Sequence, residues 1–152
     1  MNPEIERAHL LIANGAGGEF GDFEDRLEEI NNLCDSGHAE IVGTTVQKQR
    51  KPIRTYLGLG KLKEARNKIS EDKVHLIIVD DELSPNQQRF LEDFFQIKVV
   101  DRTALILDIF AARAKSKEGK LQVELAQFQY LLPRLAGQWS HLERLGGGIG
   151  TR

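Results

Sequence analysis

Val74 to Val79 is apolar throughout except for His75, and it stops abruptly at Asp80-Asp81-Glu82. A strand with apolar side chains on both faces must be covered on both, as a central strand of a parallel sheet is when helices pack above and below it. Ser84-Pro85-Asn86-Gln87 then combines an N-cap serine, a proline at the first helical position and a glutamine at the third. That capping box starts a helix predicted to run to about Phe95.

The same strand-then-helix alternation recurs on either side. His9 to Ala13 reads as a buried strand that leaves into the loop Asn14-Gly15-Ala16-Gly17-Gly18. Asp22 is placed to cap a helix through about Ser36, with Phe23, Leu27, Ile30 and Leu33 at helical spacing and Gly37 as its stop. Ala39 to Gln47, rich in Ile, Val and Thr, is a second strand, and Gly60 opens a helix carrying Leu62, Ala65 and Ile69. Ile97 to Val100 gives a fourth strand, after which Asp101 caps a helix with Leu105, Ile106, Ile109 and Phe110 on its apolar face. These repeats predict an α/β fold, an open four-stranded parallel sheet with flanking helices and right-handed crossovers.

The tail follows a different rule. Leu121, Leu125, Phe128, Leu132, Leu135, Trp139 and Leu142 recur at alternating steps of four and three, which aligns them along one edge of a helix as a seam for another helix. From Thr103 the chain is expected to be helical, with a break at Lys117-Glu118-Gly119 and a kink at Pro133. A helix from Lys120 to Arg144 would be roughly 36 Å long. The expected organisation is an α/β subdomain over 1–102, a helical arm over 103–145, half of an antiparallel helical hairpin, and a glycine-rich loop over 146–152 that stops short of a return helix.

Charge divides the same way. Residues 113–152 hold seven Lys/Arg against three Asp/Glu, leaving 14 against 20 for residues 1–112. A basic arm on an acidic body suggests that a polyanionic partner meets the arm, through Lys115, Lys117, Lys120, Arg134, His141, Arg144 and Arg152, and a solvated helix face with a chance basic excess stands beside that reading. The glycines of the tip, Gly146, Gly147, Gly148 and Gly150, would let backbone come close to RNA. Trp139 falls on a heptad position and is read as core. The single cysteine, Cys34, excludes a disulfide framework and suits a buried thiol in a reducing compartment. No stretch has the apolar length of a membrane span and the start is too acidic for a signal peptide, so a cytoplasmic location is expected.

Two places invite chemistry. Gly58, Gly60 and Lys61 lie between the second strand and a helix, where backbone N–H groups can hold phosphate. The third glycine of a dinucleotide fingerprint and the spacing of a Walker loop are both missing, so a plain tight turn stands beside a nucleotide site. Asp80 and Asp81, with Glu82, end the central strand and could hold Mg²⁺ through water or simply favour the next helix N-terminus. No Ser, His and acid grouping occurs, the four histidines show no metal spacing, and no catalytic residue is expected.

Several motifs in order resemble the N-terminal region of the HflX family of ribosome-associated GTPases. They are Asp81-Glu82-Leu83-Ser84-Pro85, Val100-Asp101-Arg102-Thr103 with Leu107-Asp108-Ile109-Phe110-Ala111, and Gly119-Lys120-Leu121-Gln122-Val123-Glu124-Leu125-Ala126-Gln127. Tyr130-Leu131-Leu132-Pro133-Arg134-Leu135 and Gly146-Gly147-Gly148-Ile149-Gly150-Thr151-Arg152 continue the series, and Tyr56, Gly58, Gly60 and Lys61 also match. The resemblance implies two long antiparallel helices joined by the glycine loop, then a GTPase domain that uses GTP and Mg²⁺. It implies the large ribosomal subunit and its rRNA as partners, and a role in splitting stalled ribosomes under stress. Some members are credited with separate ATP binding, for which Gly58 to Lys61 is the candidate and an RNA-directed ATPase module the alternative reading. The chain itself has no Gly-x-x-x-x-Gly-Lys-Ser/Thr and no Asn-Lys-x-Asp, so no GTP hydrolysis is expected of it. Its uncovered seam also leaves room for a homodimer.

Overall fold

The computed structural model describes residues 5–15, 20–49 and 53–135. Four strands, β1 (Glu6–Gly15), β2 (Ala39–Gln49), β3 (Leu76–Val79) and β4 (Lys98–Asp101), form one sheet in the order β2-β1-β3-β4, all parallel. Between and after them come α1 (Phe20–Ser36), α2 (Leu59–Asp72), α3 (Pro85–Phe95), α4 (Arg102–Arg113) and α5 (Lys117–Leu135). The expected sheet is therefore present, with β1 and β3 inside and every residue of β3 buried.

The period of two along each strand splits the core. Leu11, Ile77, Val79 and Val99 face Leu62, Ala65 and Ile69 of α2 and Leu91 and Phe95 of α3. Ala8, Leu10, Leu76, Ile78 and Val100 face Ile30 and Cys34 of α1 and Leu105 and Ile109 of α4. So α2 and α3 cover one face of the sheet, α1 and α4 the other. Each fully buried Leu or Ile contributes about 1.5–3 kcal/mol. Burial pushes the Cys34 thiol up to about 12, which keeps it protonated.

Two helix starts form as their sequences dictate. Ser84 Oγ accepts from Gln87 N while Gln87 Oε1 accepts from Ser84 N, closing the capping box. Asp101 caps α4, its Oδ1 accepting from Ala104 N at 2.9 Å. Other boundaries moved. α1 begins at Phe20, so Asp22 lies inside its first turn rather than ahead of it. α4 supplies core residues to the sheet, and α5 begins at Lys117. The helical break lies at Ala114-Lys115-Ser116, because Ser116 Oγ accepts from Gly119 N at 2.9 Å and Gly119 is thereby part of the first turn of α5.

β2 carries a bulge. Ala8 pairs with Ile41 and His9 with Gly43, which leaves Val42 as the extra residue. Glycine is required at 43, where a Cβ would stand 2.9 Å from His9 Nδ1.

Candidate functional site

The carboxyl edge of the sheet is where an α/β fold offers functional groups, and here it is closed by ion pairs. Asp80 ends β3 with its side chain fully buried between Arg26 of α1 and Arg102 at the start of α4. Arg26 Nε lies 3.1 Å from Asp80 Oδ2, and Arg102 Nη1 2.9 Å from Asp80 Oδ1. The other nitrogens of Arg26 donate to the carbonyls of Asp80 at 2.8 Å and Ala13 at 3.2 Å, and Arg102 also pairs with Glu29. Burial raises the Asp80 pKa against the pull of both guanidinium groups. Tyr56 joins the edge: its hydroxyl donates to Asp81 Oδ2 and accepts from Ala13 N at 2.9 Å. Burial, then the charge of Asp81, pushes that phenol well above its ordinary value.

Both oxygens of Asp80 thus face cations that belong to the protein, and Asp81 is shared by Tyr56 and Arg26. Arginine thereby neutralises the buried charge of Asp80, and both carboxylates considered for Mg²⁺ from sequence are engaged by side chains of the protein. Among the described residues no group of three or more His, Cys, Asp or Glu is arranged to hold a metal.

The Gly58 to Lys61 stretch is a fastened turn. Gly58 N donates to Gln47 Oε1 at 2.6 Å, and the Gly58 carbonyl accepts from Leu62 N as α2 begins. Tyr56, just before it, has φ 67°. A Cβ on Gly60 would meet nothing within 4 Å, so no close approach requires a glycine there. Lys61 Nζ lies 3.4 Å from Glu64 Oε2 at the surface. One backbone donor of the suggested phosphate cradle is therefore already used by Gln47.

The arm shows the strongest division of labour. Successive residues of a helix turn by about 100°, so side chains two positions apart point in nearly opposite directions. Leu121, Leu125, Phe128 and Leu132 are exposed by 64, 59, 46 and 55%. Offset from them by two, Gln127, Tyr130 and Arg134 turn inward and hold α5 to α4 and α3. Gln127 Nε2 donates to Asp108 Oδ1 at 3.1 Å, and Tyr130 Oη donates to Asp101 Oδ2, the same carboxylate that caps α4 and accepts from Leu83 N. Arg134 is buried; it donates to Gln88 Oε1 at 3.1 Å, to the Tyr130 carbonyl at 3.1 Å and to the Leu83 carbonyl, and its guanidinium stacks 3.7 Å from the Tyr130 ring centroid. Burial, then the hydrogen bond to Asp101, raises the Tyr130 pKa.

Charge alone points Arg134 towards RNA, whereas the structure turns it inward to fasten the arm. Lys115, Lys117 and Lys120 are exposed at the arm's start. His141, Arg144, Gly146, Gly147, Gly148, Gly150 and Arg152, with Leu142 and Trp139, lie outside the described residues. Sequence reasoning missed Gln127, Tyr130, Arg26 and Arg102. For the first two a signal existed, since 127, 130 and 134 share the 3–4 spacing of the leucines on the opposite face.

Comparison with known proteins adds independent findings. A family profile described as GTP-binding GTPase N-terminal matches residues 24–111, and one described as GTP-binding GTPase Middle Region matches 113–152. The chain is 49% identical over 144 residues to "GTPase HflX" of Alkalihalophilus pseudofirmus, covering 94% of this chain and 34% of that protein. It is 51% identical over 130 residues to the protein of the same name in Caldanaerobacter subterraneus subsp. tengcongensis, covering 85% and 30%. The chain thus spans about a third of the length of the curated relatives it matches. Its fold is shared with a GTP-binding protein from the hyperthermophilic archaeon Sulfolobus solfataricus, solved in complex with GDP, at TM-score 0.65 and 24% identity over 93% of this chain and 41% of that one. Among the described residues no helix is long and apolar enough to cross a membrane.

Proposed function

The chain belongs to the HflX family of GTPases, whose N-terminal region it represents, and from that membership we propose that it is the part that binds RNA of the large ribosomal subunit. The observation that carries this reading is the two-faced arm: α5 is held to the body by polar side chains while its leucine stripe stays exposed. A helix built only to complete the body would turn its leucines inward. An outward stripe suits a second helix of the full-length protein, packed beside α5 to make a projecting hairpin. Lys115, Lys117 and Lys120 then supply phosphate contacts at its base.

GTP hydrolysis, with Mg²⁺, belongs on this reading to parts of the full-length protein outside these residues, and helps split stalled ribosomes in the cytoplasm under stress. The chain's own contribution is binding and orientation. ATP binding at Gly58, Gly60 and Lys61 has less support, since Gln47 already uses the Gly58 N–H and Glu64 sits beside Lys61.

Sedimentation of the chain with large subunits tests the proposal. Binding is expected to weaken as salt rises, and Lys115→Gln, Lys117→Gln and Lys120→Gln together should lower affinity about tenfold and flatten the salt dependence. Unchanged binding by that triple variant would overturn the arm's role.

A further inference from the structure

The α/β body is acidic in sum, yet its charge is sorted by face. Residues 54–73, the lead-in to α2 and α2 itself with its cap, hold six Lys/Arg against three Asp/Glu. α1, on the other face of the sheet, holds six Asp/Glu against the single Arg26. The α2 stretch and α1 therefore carry about +3 and −5, a separation that the overall charge of −2 conceals.

Exposure and placement make the basic side a continuous surface. Arg54, Lys63, Arg66, Lys68 and Lys73 are exposed. Leu62, Ala65 and Ile69 pin α2 to the sheet, so its cations border the helix on both flanks: Lys61 and Lys68 on one, Lys63 and Arg66 on the other. The second flank reaches α3, where the Arg66 guanidinium lies 4.4 Å from the Phe94 ring centroid. A helix with its side chains is about 10–12 Å across, close to one Debye length at 0.1 M salt, so both flanks act together on an approaching polyanion. Glu64, beside Lys61, and Glu71 and Asp72 at the last turn are the only acids of this stretch.

We propose that the α2 side of the body is a second RNA-backbone surface, separate from the arm, and that the acidic α1 side fixes by repulsion which way round the body meets the RNA. This rests on the reading of RNA as partner given above. Regularly spaced phosphates meet cations on two flanks of one helix, whereas an α1-first approach places phosphate against Glu24, Asp25, Glu28 and Glu29, all exposed.

The test uses the full chain and a labelled RNA hairpin, with binding followed by fluorescence anisotropy across a salt series. Arg54→Gln, Lys63→Gln and Lys68→Gln together should weaken binding about tenfold and reduce the slope of log affinity against log salt by about 2. Their melting temperature should match the parent's, because all three side chains are exposed. Glu24→Gln with Glu28→Gln should strengthen binding. Parent affinity and slope in the α2 variant would overturn the proposal, and if the Lys115, Lys117 and Lys120 variant weakened at the same time, the arm reading would survive that failure. No binding of RNA by the parent chain would overturn both. A variant of α2 that melts early is replaced by Lys63→Arg and Lys68→Arg, which keep the charge and should keep the affinity.

Discussion

At His9 the sheet holds an imidazole away from water. Nε2 lies 2.7 Å from Thr45 Oγ1, and Nδ1 has no hydrogen-bond partner among the described residues. Burial, then the charge of Lys68, lowers its pKa to about 4, with Asp72 pulling the other way. In the unfolded chain histidine titrates near 6.5, so between pH 6.5 and 4 the unfolded state binds more protons. Stability is therefore intact above about 6.5 and declines as pH falls towards 4, by on the order of 3 kcal/mol from this group. Urea titrations at pH 7.5 and 4.5 should show that loss, and His9→Asn should show less of it. Equal pH dependence in the two proteins would remove His9 from the account. Gly43 belongs to the same design, since its missing Cβ leaves the space the ring occupies.

Among the elements, α5 is the one whose attachment is polar. Tyr130 and Arg134 converge on Asp101 and the Leu83 carbonyl, so one carboxylate serves as helix cap, loop anchor and arm anchor. Tyr130→Phe should cost about 1–2 kcal/mol and Arg134→Gln about 2–3 kcal/mol. Amide exchange should localise the loosening to α5 while β1 and β3 stay protected. Uniform loss across the sheet would mean that α5 is integral to the core. The two caps and the β3 strand were legible in sequence because neighbouring residues decide them. The start of α5 was misplaced because Gly119 resembles a helix breaker, although Ser116 ahead of it was the cap. The pairs of Asp80 with Arg26 and Arg102 join residues 54 and 22 positions apart, a distance no local pattern encodes. Arg134 misled for another reason: counting charge treats every arginine as facing solvent.

For the molecule as a whole, the exposed leucines and the sorted charges favour different kinds of association, one apolar and one electrostatic. Apolar side chains aligned on one helix edge associate with a like edge when concentration allows. The 152-residue chain is expected to show a rising sedimentation coefficient with concentration, abolished by Leu125→Glu with Leu132→Glu, while the full-length protein should not show it. A chain that stays monomeric at every concentration would contradict this. One earlier detail bears on association of another kind. β2 is an edge strand eleven residues long, and such an edge invites a foreign strand to add itself. The extra residue Val42 interrupts the even rhythm of its outward amides and carbonyls, and Glu40, Thr44 and Lys48 are exposed along it. A strand laid against that margin would lose register after Ile41, so the bulge guards this edge against amyloid-like stacking.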